Sequence, residues 1–403
     1  MPASKAGLVT ESDRDLPRRG KTVRSIELFT GAGGLALGTA TAGFDHAAVV
    51  EFDKDSCDTL RLNKTAGAKY AKDWTVIQAD VRWFDFVDLG EIDFIAGGVP
   101  CQPFSLGGKH RGHEDHRDMF PEFARAIATL QPKAFLIENV KGLLRKNFAD
   151  YFEYIILRMS HPAIPAKGRS WREHRAELER VHTSGKKTGM DYHVVWQLLN
   201  AADFGVPQRR DRVFIVGFRS DLKVRWAFPQ PTHSATALLR SQFLTEEYWE
   251  THEVPKSKRP KPDHGMLDKL PTIFREECRP WRTVRDAIQG LPKLKSGGRS
   301  LEDPNHFLNP GARPYKGHTG SVLDEPAKTL KAGDHGVPGG ENTVVMDDGE
   351  FRYFSVREAA RIQTFPDSYA FAGAWTEQMR QVGNAVPVDL ARIVASDIIV
   401  HLI

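Results

Sequence analysis

Three short stretches of this chain hold residue types whose spacing can do chemistry. In "GGVPCQPFS", Gly97 to Ser105, Cys101 stands between Pro100 and Pro103. The prolines fix φ and remove backbone donors, so the segment continues neither as a ladder strand nor as a helix. The upstream run "IDFIAGG" reads as a buried strand ending in glycines. Cys101 is therefore expected on a stiff turn beyond a strand's carboxyl end, where α/β proteins keep reactive groups. In "FLIENV", Glu138 taken alone is an ordinary strand-end carboxylate; next to a presented thiol it becomes a functional candidate. In "QRRDR", Gln208, Arg210 and Arg212 alternate as they enter a strand, so the three project from one face and Arg209 and Asp211 from the other. A basic edge strand is the plainer alternative for that run.

A fourth stretch points to a cofactor. "ELFTGAGGLALG" follows a strand and opens a helix, and Gly31, Gly33 and Ala36 satisfy a loose G-x-G-x-x-A fingerprint, with Glu51 where a ribose-binding acid belongs. Glycines admit a ligand close to the backbone, and the helix N-terminus favours an anionic group, either a pyrophosphate or the carboxylate of S-adenosylmethionine. A purely structural turn is the alternative. Asp80 ends another predicted strand, where it either accepts from an adenine amino group or caps a helix. His110, His113 and His116 form an H-x-x-H-x-x-H that invites a metal reading. Without an accompanying cysteine or second cluster, no metal is expected, and solvated loop histidines contacting phosphate fit better.

These groups need a scaffold, and 403 residues give room for a large domain and a smaller one. No apolar run is long enough to span a bilayer, and the polar first 21 residues lack a signal-peptide core and read as a disordered tail. The three cysteines make no C-x-x-C, so neither a disulfide framework nor a zinc knuckle is indicated, and a reduced cytoplasm is the expected setting. A net charge of +4 permits nucleic-acid binding without demanding it. Strands are predicted at "VRSIELF", "HAAVVEF", "IDFIAGG", "KAFLIEN", "YHVVWQLL" and "DRVFIVGF", with helical spacing between them. That alternation implies an α/β fold with a mostly parallel sheet covered on both faces. The pattern breaks near Asp221. Residues 22–220 read as one domain with a basic, partly helical insertion at 158–189, taken as a solvated surface excursion. Residues 221–350 read as an inserted, less regular domain, and 351–403 as a return to the first.

Taken together, "ELFTGAGGL", "VVEFD", "ADVRWFD", "GGVPCQPFS", "HRDMF", "FLIENVKGLL", "FGVPQRRDRVFIVGF", "REAARIQTFP" and "QVGNAVPVDLA" resemble, in order and spacing, the cytosine-5 DNA methyltransferase family. The resemblance runs from Lys21 to Ile403 except for the inserted domain, and "PCQPFS", "ENV" and "QRRDR" are its specific part. Glu27 departs from the family's usual aspartate but keeps the carboxylate. The resemblance implies a Rossmann-like, S-adenosyl-L-methionine-dependent methyltransferase fold with an inserted target-recognition domain, and S-adenosyl-L-homocysteine as product. Cytosine C5 is a poor nucleophile, and addition of a thiolate to C6 makes the ring enamine-like. The implied roles are Cys101 as nucleophile, Glu138 as the acid engaging N3 and the exocyclic amine, and Arg210 and Arg212 as donors to O2. Asn139 and Gln208 are expected to shape the base pocket. Phe29, Gly31, Gly33, Gly34, Glu51, Asp80, Pro100, Asn384 and Val386 are expected to line the cofactor pocket, with Phe29 on the adenine.

The segment after Cys101, including Ser105, resembles a mobile loop that closes on DNA once the base is extruded. The inserted domain is the expected reader of double-stranded DNA. Its lysines and arginines suit phosphate, and "PAKTLKAGDHGVPGG" carries a Thr329–Leu330 pair found in recognition loops. A monomer is expected, nucleoid-associated in the cytoplasm, with a cognate restriction endonuclease or other defence component as a possible companion. The rival readings are the same chemistry on tRNA, a nicotinamide-dependent oxidoreductase on the same glycine turn, and a non-enzymatic DNA binder. The length of the inserted domain favours DNA over tRNA; the oxidoreductase leaves "PCQPFS", "ENV" and "QRRDR" unexplained; intact Cys101, Glu138 and Arg212 argue against the third.

Overall fold

A computed structural model describes residues 22–100, 118–185, 188–262, 278–294, 303, 305–316, 319–332 and 340–403. Cys101, Ser105, His110, His113 and His116 lie outside the described residues. The framework is a seven-stranded sheet of order β3-β2-β1-β4-β5-β7-β6. Its strands are β1 (Arg24–Leu28), β2 (Asp45–Glu51), β3 (Val76–Gln78), β4 (Phe94–Gly98), β5 (Ala134–Val140), β6 (Tyr192–Asn200) and β7 (Asp211–Arg219). β1 to β5 run parallel, while β7 pairs antiparallel with β5 and with β6. The run "AFLIENV" of β5 is almost wholly buried because both sheet faces are covered.

The strand order reverses at β1. The chain runs outward through β2 and β3, then crosses to β4 on the other side of β1. The carboxyl ends of β1 and β4 thus flank the crevice in which open α/β sheets bind ligands. The strands fall where the sequence put them, short β3 included: it ends two residues before Asp80.

Packed cores clothe both faces of the sheet, with α2 (Lys54–Thr65) set against β2 and β3. Ile26, Leu28, Ile95, Phe135, Ile137, Val213 and Ile215 pack on one face with α3 (Phe120–Leu130) and α4 (Ala149–Ser160). Phe94, Ala96, Leu136, Phe214 and Val216 pack on the other with Leu35 and with Leu390, Val394 and Ile398 of the last helix, Val388–Ile399. That helix lies tightly on α1 (Gly34–Ala42): a Cβ at Gly38 would come within 2.4 Å of the Ala391 Cβ and 2.7 Å of the Val388 carbonyl oxygen. Only glycine admits this approach.

The insertion at 158–189 forms α5 (Trp171–Ser184), started by a capping box in which Ser170 and Glu173 satisfy each other's backbone N–H groups. Trp171 stacks edge-on to Tyr151, and buried His174 and Leu178 face α4. The excursion is partly helical and largely solvent-facing, as read, and α5 also docks on α4 through His174 and Leu178. Beyond Arg219 the elements are short. The two-residue strands His233–Ser234 and Arg279–Pro280 pair with each other, and a three-stranded sheet joins Ser321–Val322, Thr343–Val345 and Phe351–Tyr353.

Candidate active site

At the carboxyl end of β5, Glu138 and Asn139 are both buried. Glu138 pairs laterally with strand β7, and its Oε1 accepts from the Arg212 Nε at 2.8 Å. Burial raises the Glu138 carboxyl above the usual range, while Arg212 and then Arg210 oppose that rise. Asn139 faces the strand that leads to Cys101: its Nδ2 donates to the Val99 carbonyl at 3.2 Å, and its Oδ1 accepts from the Val140 N–H at 2.8 Å. Asn139 thus ties the acid-bearing strand to the residue before Pro100.

The alternation in "QRRDR" places the three side chains on one face, as read, but they do not share one task. Arg212 meets Glu138. Arg210 is fully buried, and its guanidinium donates to the carbonyls of Leu330 at 2.8 Å, Gly383 at 2.7 Å and Ala385 at 2.9 Å. Gln208, also fully buried, accepts from the Leu330 N–H at 3.0 Å and donates to the Gln363 Oε1 at 3.0 Å. Gln208 and Arg210 are corrected from base-facing groups to buried ties. Leu330 is corrected too: its side chain is core, and both its backbone groups are committed. Thr329 is half-buried and donates its hydroxyl to the Arg209 carbonyl at 2.6 Å. Arg209 and Asp211 face away, paired with Glu325 and Lys141.

On the other side of the crevice, the turn after β1 is left-handed at Phe29, Gly31 and Gly33. Glu51, at the end of β2, accepts from the Gly31 N–H at 2.6 Å through one oxygen and from the Phe52 and Asp53 N–H groups through the other. Burial raises its carboxyl and these three donors pull it back. Gly34 is required for close packing, since a Cβ there would sit 2.3 Å from the Val386 carbonyl oxygen. So Val386 reaches the glycine turn from the far end of the chain, with Asn384 exposed beside it. Asp80 caps the short turn that follows, accepting from the Arg82 N–H at 3.0 Å, and the Arg82 guanidinium also holds its carboxylate, which lowers it.

Two residues on this side were not among the expected site residues, although Glu27 was noted for its departure from the family's aspartate. Glu27 on β1 is fully buried, neither carboxylate oxygen has a partner among the described residues, and burial drives its pKa far upward. Its signal was the departure from aspartate. Phe52, next to Glu51, is 69% exposed, unusual for a large aromatic beside a strand end.

A family model for C-5 cytosine-specific DNA methylases matches residues 23–161 and 170–400, the whole described framework. The chain belongs to this family. Its activity is that of a DNA (cytosine-5)-methyltransferase. The type II methyltransferase M.Eco47II of Escherichia coli is 34% identical to the methylase over 387 residues, covering 94% of this chain and 79% of that one. M.Sau96I of Staphylococcus aureus is 30% identical over 400 residues, covering 96% and 77%. The S. pombe Dnmt2 methyltransferase structure superposes with a TM-score of 0.55 at 16% identity over 95% of the methylase and 98% of that chain, a likeness of fold. The gap in the family match, 162–169, is the connection between α4 and α5.

Proposed function

We propose that the methylase transfers a methyl group from S-adenosyl-L-methionine to C5 of a cytosine swung out of a specific duplex sequence, as the modifying half of a restriction–modification pair. Residues 22–220 and 351–403 form the catalytic domain and 221–350 the reader. The observation that carries this reading is the buried Glu138–Arg212 pair beside the Asn139–Val99 tie. Cys101 adds its sulfur to C6 of the cytosine as the proton of a Glu138 carboxyl moves to N3, so the C5–C6 double bond becomes a nucleophilic centre at C5. The raised Glu138 pKa suits it to hold that proton, and Arg212 stands ready for O2.

The orphaned Glu27 carboxyl supports a cationic cofactor, because a buried acid without partners favours a ligand that brings positive charge. Bound S-adenosyl-L-methionine supplies a methyl group on a sulfonium. Phe29, Gly31, Gly33, Gly34, Glu51, Asp80, Pro100, Asn384 and Val386 would hold it, and Phe52 is added to that set. Thr329 and Ser105 remain DNA-contact candidates. No described helix is long and apolar enough to cross a membrane. A DNA substrate would bring the chain to the nucleoid. That its relatives are type II methyltransferases supports a cognate endonuclease as companion.

Duplex DNA with 5-fluorocytosine at the target should trap the protein covalently, because fluorine blocks the final elimination, and intact-mass analysis should find one adduct. Cys101→Ala should abolish adduct and methylation while leaving cofactor binding largely intact. Labelled methyl transfer to tRNA and none to duplex DNA would overturn the reading. Sequencing of converted DNA from an unmethylated expression host reports the target itself.

A further inference from the structure

Segment 327–332 of the inserted region passes through a clamp. On one side Ala327 exchanges backbone bonds with Pro207 and Arg209, both at 2.9 Å. On the other, the helix Trp375–Asn384 approaches so closely that a Cβ on Gly383 would lie 2.4 to 2.6 Å from the Lys331 and Ala332 backbone. The Arg210 guanidinium closes the clamp, with one nitrogen on the Leu330 carbonyl and the other on the carbonyls of Gly383 and Ala385, which flank Asn384. Gln208 and Gln363 extend the network: Gln363 Nε2 donates to the Val382 carbonyl at 2.8 Å and the Ala385 carbonyl at 3.2 Å. The next carbonyl, of Val386, abuts Gly34 at the start of α1.

We propose that Arg210 is a positioning residue that couples duplex reading to cofactor binding, because one guanidinium holds both the reader segment at Leu330 and the cofactor wall around Asn384. This rests on the functional reading above. A displacement of segment 327–332 by DNA moves the Leu330 carbonyl, and a rigid planar donor passes that shift to Gly383 and Ala385. Loss of any one of these bonds leaves a buried donor or acceptor unpaired, so the arrangement favours two discrete states over gradual drift. Coupling between two ligands is reciprocal by thermodynamic necessity.

The test measures duplex affinity with and without S-adenosyl-L-homocysteine, and S-adenosyl-L-homocysteine affinity with and without duplex. In the wild type each ligand should tighten the other by the same factor, about 5-fold or more. Arg210→Lys keeps the charge but not the planar fork; the factor, taken as a ratio within the variant, should fall toward 1 whatever the change in each ligand's own affinity. The cofactor KM at saturating DNA should then rise more than kcat falls. Gln208→Met, which keeps Arg210 and most of the volume, should lose part of the coupling and guards against a folding failure in the first variant, checked by circular dichroism. An unchanged factor in folded Arg210→Lys, or a factor of 1 in the wild type, overturns the proposal. A wild type that binds neither ligand refutes the functional reading instead.

Discussion

Glu138 feels two opposed influences: burial pushes its proton on, and the guanidinium 2.8 Å away pulls it off. Burial prevails, so the acid form persists above the ordinary carboxylate range, and methylation should decline as pH rises through that raised value. Glu138→Gln should lower kcat by about 10²–10⁴-fold and flatten this limb of the pH–rate profile, as measured by initial rates of labelled methyl transfer. Glu27 tests stability. Its folded pKa lies well above its unfolded one, so its contribution is complete below the unfolded value and is lost as pH rises through the folded value. Melting temperatures of the wild type should therefore fall relative to Glu27→Gln as pH climbs from the carboxylate range, without added cofactor. Glu138 and Arg212 were legible in the sequence because motif and alternation agree on them. The roles of Gln208 and Arg210 were not: period-two alternation gives the face a side chain occupies, but not what covers that face. Here the cover comes from Leu330, Gly383 and Ala385, far along the chain.

Among the elements, α1 and the last helix behave as one unit held by missing side chains. Gly38→Ala forces a methyl against Ala391 and the Val388 carbonyl, and should cost about 1–3 kcal/mol in urea unfolding. Gly34→Ala pushes on the Val386 carbonyl at the glycine turn instead; S-adenosyl-L-homocysteine affinity measured by calorimetry should fall more than stability does. The longer parallel strands were legible because each carries a short β-rich apolar stretch between turns. Three-residue β3 was legible as the short strand before Asp80. The docking of α5 was hidden by its charge, since few of its side chains face inward; the Ser170–Glu173 capping box was the available signal for its start.

At the scale of the whole molecule, three histidines among the described residues are held neutral in separate places. His46 lies between Ser25 of β1 and Thr39 of α1, His174 between α4 and α5, and His233 against Gly205; burial lowers each to about 4. Their unfolded values are higher, so the unfolded chain gains protons first as pH falls. Stability is intact above about pH 6.5 and drains away down to about pH 4. Thermal melts over this window should show it, and His46→Gln should remove part of the slope. The layered architecture was readable from strand–helix alternation; the route of the chain back to α1 was visible only as a final amphipathic run.

That return also governs synthesis. One face of the sheet is complete in sequence once β7 is made, yet its cover includes the helix Val388–Ile399. At about 5–20 residues per second, the ribosome takes roughly 10–40 s to travel from one to the other. During that interval the nascent chain presents Leu136, Phe214 and Val216 without their final partner, and chaperones that recognise apolar strands have that long to reach them.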